Sequence, residues 1–255
     1  MTAPPLSVYI RTLNEARMIA DTIAAARRVS EDIVVVDSGS TDRTVEIARR
    51  AGARVIVQPW LGFGRQKRIG EEACRHDYVL DLDADEIITE ELAGEIVGLF
   101  EGGQPSASVY RTPMQVVHRL RGGDVLLGRV DRTKLYDRRV VRAPDHPVWD
   151  QFNPPAGASI GVLRNPIEHH AFQDAAHLTA KLNSYSSAVA RAKKPKSRAE
   201  LVLRIVFGLP AYFLKRYVFE GLFRAGVYGF AFSMMTAHGR WLRDVKMFEL
   251  SQNQN

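Results

Sequence analysis

Tyr78-Val79-Leu80-Asp81-Leu82-Asp83-Ala84-Asp85-Glu86 is an apolar run that ends in a cluster of acids. A strand covered on both faces reads as a short, continuous apolar segment. Three earlier runs, residues 7–10, 33–37 and 54–58, share the Val, Ile and Tyr content of residues 78–82. Helical patterns lie between them. Residues 15–29 place Ile19, Ile23 and Ala26 three or four apart, a one-sided stripe. Ser40-Thr41-Asp42 offers N-cap residues to the next pattern, which runs through Val45, Ile47 and Ala48 to a C-terminal Gly52. Residues 63–75 and 89–100 supply two more helices. This alternation predicts an α/β fold built on a mostly parallel sheet with helices on both faces.

The 255 residues, 45% hydrophobic and 25% charged, have the composition of an ordinary globular chain, which excludes disorder and collagen-like architectures. A single cysteine, Cys74, excludes an intrachain disulfide framework and a multi-cysteine zinc site, and it suits a reducing compartment. The first ten residues show no secretory pattern, so a cytoplasmic protein is expected. Glycine pairs at 102–103 and 122–123, several prolines, and short strands at 108–111 and 133–136 predict a loop-rich extension over 101–170. Helical patterns return at 174–193, 197–215 and 221–245, with Lys193-Lys194-Pro195-Lys196 breaking the first two apart. The expected division is residues 1–170 and residues 171–255.

Charge follows the same division. The net charge is +6, yet residues 171–255 hold 13 basic and 5 acidic side chains, against 22 and 24 before them. Apolar runs at 205–214 and 225–237 are too short to span a bilayer, which takes about 20 residues. Their aromatics, including Phe207, Tyr212, Phe219, Phe223 and Phe230, sit beside Lys215, Arg216 and Arg224. Aromatics with cations suit helices lying in anionic headgroups. Packing against the sheet is the alternative. No recognition-helix or RNA-binding signature accompanies the positive charge, so no nucleic-acid partner is expected.

The acids after residue 80 emerge at the carboxyl edge of a parallel sheet, where ligands of such folds bind. Alternation predicts Asp83 and Asp85 on one side, able to share a divalent ion; hard oxygen ligands suit Mg²⁺ or Mn²⁺. A lone D-x-D is also what a solvated acidic turn looks like. An EF-hand fails here, because its required Gly and Glu positions hold Glu86 and Leu92. Asp37 ends the second strand and leads through Ser38-Gly39 into a helix start, a place to seat a nucleoside. Glu15, in Arg11-Thr12-Leu13-Asn14-Glu15 after the first strand, is a second acceptor for ribose or base. Neither a G-x-G-x-x-G nor a P-loop motif occurs.

In this order, the segments 11–15, 36–44 and 82–86 resemble family 2 glycosyltransferases of GT-A fold. The likeness extends to a bacterial subgroup that adds glucose, or a related sugar, to the lipopolysaccharide inner core. Trp60-Leu61-Gly62-Phe63-Gly64-Arg65-Gln66-Lys67, Lys134-Leu135-Tyr136-Asp137-Arg138-Arg139, Ile167-Glu168-His169-His170 and residues 181–186 are similar to its landmarks. The resemblance implies that Thr12, Asn14, Glu15, Asp37, Ser38 and Gly39 bind the nucleotide-sugar donor, with UDP-glucose the expected one. It implies that Asp42 supports that loop, that Gln66 and Lys67 line the donor pocket, and that Asp83 and Asp85 carry Mg²⁺ or Mn²⁺ against the diphosphate. The subgroup shows Val-His-Glu where this chain has Val148-Trp149-Asp150, which puts Asp150 in the place of the catalytic base. The implied acceptor is a glycolipid, reached by peripheral contact with the anionic inner face of the cytoplasmic membrane. A polyprenyl-phosphate glycosyltransferase shares the donor motifs. A sugar nucleotidyltransferase would need a Gly-rich loop where Thr12-Leu13-Asn14-Glu15 stands.

Overall fold

Strand β1 (Leu6–Thr12) lies between β2 (Asp32–Asp37) and β4 (Tyr78–Asp83) and pairs in parallel with both; β3 (Arg54–Val57) continues the parallel block beyond β2. These are strands of a computed structural model that describes residues 4–120, 123–192 and 196–252. Alternate residues go to opposite faces. Val8, Ile10, Ile33, Val35, Leu80 and Leu82 pack with Ile19 and Ile23 of α1 (Ile19–Ala26), Ala48 of α2 (Thr44–Arg50), and Leu92 and Ile96 of α4 (Glu90–Gly98). Tyr9, Val34, Val36 and Val79 face the other way, toward Ile69 and Ala73 of α3 (Phe63–Ala73). Burying one such aliphatic side chain contributes about 1.5–3 kcal/mol. On this second face α3 comes close to β1, for a Cβ on Gly70 would lie 2.8 Å from the Tyr9 ring.

Beyond β4 the expectation of a mostly parallel sheet gives way to a mixed one. Strand β7 (Gly123–Asp137) runs antiparallel to β4, with Tyr78 opposite Asp137 and Leu80 opposite Leu135. The sheet then continues through β6 (Val109–Leu120), β9 (Ile167–His169) and β5 (Glu86–Ile88), while β8 (Ile160–Val162) pairs in parallel with β6. Strands β5 and β9 are antiparallel and set Glu86 opposite His169. Residues 109–120 and 123–137 are therefore two long strands where only short ones, at 108–111 and 133–136 in a loop-rich extension, were expected. Exposed charges interrupt both, at Arg111 and Arg119 in β6 and at Arg129, Asp131 and Arg132 in β7, so they lack the continuous apolar signature of a covered strand.

The chain forms two compact units. One holds the chain through Gln115 together with Arg129–His169; the other holds Val116–Gly128 and the chain from His170 onward. The second unit contains α5 (Ala175–Ala192), α6 (Arg198–Leu214) and α7 (Gly226–Gln252). Ser197 caps α6 by accepting from the Glu200 N–H at 3.2 Å. A π-turn (Lys215–Phe219) and a 3₁₀ turn (Leu222–Ala225) lead from α6 into α7 through Gly221, at φ +79°. Leu127, Phe172, Leu178, Leu222 and Phe232 form this unit's core. His118 stacks between Phe172 and Tyr228, at 4.6 and 4.8 Å. Among the described residues no helix is long and apolar enough to cross a membrane. Gly122 of the expected glycine turn, and 193–195 of the expected break, lie outside the described residues.

Candidate active site

Register brings the three sequence motifs to one sheet edge. Arg11 of β1 pairs with Asp83 of β4, and Thr12 pairs with Asp37 of β2. Asp37 is fully buried. Its Oδ2 accepts from the backbone N–H of Gly39 (2.9 Å) and Ser40 (2.8 Å), and its Oδ1 accepts from the Ser40 hydroxyl. Gly39 adopts φ +98°, a conformation that only glycine takes without strain. The Asp37 carboxylate thus accepts three hydrogen bonds from its own turn.

Side chains stitch this turn to the loop after β1. Asn14, at φ +56°, accepts from the Thr41 N–H at 2.8 Å and donates its own N–H to Ser40 Oγ at 2.8 Å. Asp42 accepts from the N–H of Ala16 (3.1 Å) and of Thr44 (2.9 Å), and the Glu15 N–H donates to Thr44 Oγ1 at 2.9 Å. Slight burial opposes ionisation of Asp42, but the hydrogen bonds from Thr44 and Ala16 outweigh it and hold the carboxyl below its ordinary range. The expected capping by Ser40 and Thr41 is corrected here: α2 begins at Thr44, Asp42 serves its start, and Ser40 and Thr41 bond to Asp37 and Asn14. Ser38 N–H donates to the Thr12 carbonyl at 2.9 Å, and Gln66 Nε2 donates to Ser38 Oγ at 2.9 Å. Thr12 Oγ1 and Gln66 Oε1 are buried without a hydrogen-bond partner. Native structures leave few such atoms.

Asp83 closes β4, and Ala84-Asp85 form the turn into β5. Strand alternation therefore stops short of Asp85, and the turn, not the pleat, sets its direction. The side chains of Asp83 and Asp150 each keep about a third of their surface exposed, at 33% and 34%. Arg11 lies between them, with one guanidinium nitrogen 2.5 Å from Asp83 Oδ1 and 3.5 Å from Asp150 Oδ2. Asp85 sits 3.4 Å from His169 Nε2. Burial works against the charged form of Asp83, yet Arg11 first, then Lys134 and Lys67, hold its carboxyl well below the usual range. Burial would lower the His169 pKa, but the hydrogen bond and charge of Asp85 prevail and raise it.

Lys67 does not lie on an exposed helix face. It is buried, with Nζ 2.7 Å from the fully buried Asp81 and 3.3 Å from Asp150. Lys134, likewise buried, reaches Glu86 at 2.5 Å and Asp81 at 3.8 Å. A chain of alternating charge results, from Asp83 through Arg11, Asp150, Lys67, Asp81 and Lys134 to Glu86. Sequence reasoning assigned no role to Arg11, Lys134 or His169. The available signal was, for Arg11, a lone cation inside the otherwise buried β1; Lys134 follows Arg129 and Arg132 in the partly exposed β7 and carried no such signal. The loop that carries Asp150 is fixed on α3: Phe63 and Gly64 N–H donate to the carbonyls of Pro147 and His146, each at 3.0 Å. A Cβ on Gly62 would meet Pro147 O at 2.2 Å, so this approach requires glycine.

Asp83 and Asp85 offer hard carboxylate oxygens, one held firmly ionised, and this donor set fits Mg²⁺ or Mn²⁺. Among the described residues no group of three or more His, Cys, Asp or Glu is arranged to hold a metal by itself.

A parallel-sheet edge that gathers acids in this way is where α/β folds bind their ligands, and comparison specifies the family. Residues 7–152 match the model of glycosyl transferase family 2, and the chain belongs to that family of enzymes. An uncharacterized glycosyltransferase of Rickettsia felis is 32% identical over 254 residues, covering 96% of this chain and 89% of the relative. The lipopolysaccharide core biosynthesis glycosyltransferase LpsC of Rhizobium meliloti is 29% identical over 266 residues, covering 96% and 92%. Among solved structures, the mannosyltransferase PcManGT of Pyrobaculum calidifontis, in complex with GDP-Man and Mn²⁺, superposes with a TM-score of 0.54 at 14% identity, covering 97% and 88%. At that identity the likeness is one of fold, and it supports a GT-A-like α/β architecture with a mixed sheet.

Proposed function

We propose that this enzyme is an inverting, metal-dependent hexosyltransferase that moves glucose from UDP-glucose to a phosphorylated glycolipid of the lipopolysaccharide inner core. The observation that carries the reading is Arg11, whose guanidinium joins Asp83 and Asp150 at the sheet edge. The nucleoside goes to the stitched loops, where Thr12, Asn14, Glu15, Asp37, Ser38, Gly39 and Asp42 converge, with Gln66 behind them. Asp37 and Asp42 shape that cradle through their own-loop hydrogen bonds. The buried Thr12 Oγ1 and Gln66 Oε1 are ready for donor contacts. Lys67 acts by neutralising Asp81 and positioning Asp150.

Asp83 and Asp85 would hold Mg²⁺ or Mn²⁺. Such an ion, when bound, neutralises charge on the leaving diphosphate. Asp150 accepts the proton of the acceptor hydroxyl as general base. The new bond from hydroxyl oxygen to the anomeric carbon forms as the bond to phosphate breaks, and the electron pair leaves with the nucleoside diphosphate. Arg11 keeps the base and the metal-binding acid at a fixed separation, the kind of positioning that displacement requires.

The first unit is the donor-binding and catalytic part of this reading, and the second docks at the cytoplasmic membrane face. Support comes from its exposed apolar side chains: Phe219 is 84% and Val227 87% exposed, and Phe207 and Phe223 are also open, with Lys215 and Arg224 close by in sequence. The test is an assay of a nucleotide-sugar panel, with Mn²⁺ or Mg²⁺, on core glycolipid lacking its outer sugars. UDP-glucose-dependent transfer with inverted anomeric configuration is expected. Transfer to polyprenyl phosphate instead would overturn the acceptor assignment, and release of pyrophosphate would overturn the reaction.

A further inference from the structure

Two cavities in the second unit share a wall and differ in chemistry. The larger, of about 500 Å³, is lined by Leu182, Leu209, Met234, Met235 and Leu242, with Thr179 at an exposed position on α5. Its size falls within the roughly 300–1,000 Å³ of small-molecule sites. The smaller, of about 270 Å³, is lined by Arg216, Arg240 and Arg243, together with Tyr185, Thr236 and Glu220. Leu182 of α5 and Gly239 of α7 line both. A Cβ on Gly239 would lie 3.0 Å from the Leu182 side chain, so the helices meet closely where the two chambers join.

Charge in the smaller chamber is positive after its acids are counted. Arg216 is bonded to Glu220, and Arg243 to the buried Asp244 at 3.0 Å. Arg240 stacks over the Tyr212 ring at 5.6 Å and, among the described residues, has no carboxylate bonded to it. Arg216 Nε is buried without a hydrogen-bond partner. Arginine forks are the side chains best matched to phosphate oxygens. An apolar chamber opening beside an arginine chamber is complementary to a molecule that carries hydrocarbon and phosphate side by side.

We propose that the second unit binds one anionic phospholipid of the bilayer, its phosphate among Arg216, Arg240 and Arg243 and one acyl chain in the chamber of Leu182, Leu209, Met234, Met235 and Leu242. The smaller chamber admits a phosphoryl group with its glycerol. The adjoining chamber, lined mainly by Leu and Met side chains, suits hydrocarbon and not the sugars of a phosphorylated saccharide, and for this reason the occupant is membrane phospholipid. The proposal rests on the membrane-docking part of the reading above, and adds to it a built site for a single lipid.

Calorimetry on the full-length protein, with monomeric short-chain lipids in solution, tests the pocket; vesicle flotation separately tests the surface. Dihexanoyl phosphatidic acid is expected to bind one per chain, at least tenfold tighter than inorganic phosphate or dihexanoyl phosphatidylcholine. Arg240→Ala should weaken it at least tenfold. Thr179→Trp, at an exposed helical position, should reduce binding of the dihexanoyl lipid and leave that of inorganic phosphate unchanged. Both variants should keep the wild-type melting temperature and nucleotide-sugar hydrolysis. Equal binding of inorganic phosphate, equal binding of phosphatidylcholine, or equal binding of glucosamine 6-phosphate would overturn the proposal, as would no saturable binding at all. Loss of vesicle binding with the short-chain lipid still bound would contradict the surface reading alone.

Discussion

Arg11 and Lys67 enclose Asp150 between two cations, one fixed by Asp83 and the other by the fully buried Asp81. Asp150→Asn keeps the shape of the side chain and removes its capacity to accept a proton. We expect kcat to fall about 10²–10⁴-fold, the usual contribution of a general base, with the dissociation constant of the donor unchanged. An unaltered turnover number would remove Asp150 from the chemistry. Lys67 answers to a different measurement. Lys67→Met takes the nearest cation from Asp81, which is wholly buried and 2.7 Å away, and the hydrogen bond to it. Breaking a buried pair from one side costs about 3–5 kcal/mol, so the denaturant midpoint should drop sharply. A stability within 1 kcal/mol of wild type would show that Lys134 alone suffices for Asp81. These contacts explain why part of the site was illegible in the sequence. Arg11 meets Asp150 across 139 positions and Lys134 meets Glu86 across 48, and no local spacing encodes either pair.

Among elements, the parallel block was readable because β1, β2 and β4 are buried, mainly apolar runs that stop at a charge or turn, and the partly exposed β3 keeps their Val and Ile content. The paired strands β6 and β7 were readable only at 108–111 and 133–136, since exposed charges interrupt the rest, at Arg111 and Arg119 in β6 and at Arg129, Asp131 and Arg132 in β7. Asp85 lies two residues past Asp83, in a turn, so strand periodicity does not set its direction. The start of β2 makes a prediction of its own. Asp32 is buried, which opposes its charge, but hydrogen bonds from the Ser7 hydroxyl (2.6 Å), the Arg75 N–H (2.8 Å) and Arg54 lower its pKa. A carboxyl whose folded pKa lies below its unfolded value adds stability above the unfolded pKa, and this stability is lost as pH falls through the folded one. Asp32→Asn should therefore be destabilised at pH 7 and show a flatter loss of stability on the acid side. Parallel pH profiles for variant and wild type would refute this role.

On the scale of the whole molecule, the basic surplus of the last third coincides with the unit that exposes Phe219 and Val227. Sequence spacing revealed aromatics beside cations, but only the fold shows which of them are covered: Phe232 lies in the core, while Phe219 is open. Replacing Phe219 and Val227 together with Asp should abolish flotation with anionic vesicles while preserving hydrolysis of the donor. Unchanged flotation would place the membrane contact elsewhere.

The account depends most on Asp83 and Asp85 carrying a divalent ion to the donor diphosphate. Titration of UDP-glucose into wild type and Asp83→Asn, each with and without Mn²⁺, measures this directly. Tight binding is expected for wild type with Mn²⁺, and equally weak binding, within twofold with or without the metal, is expected for the folded variant. An Asp83→Asn protein that still gains affinity from Mn²⁺ as wild type does would contradict it.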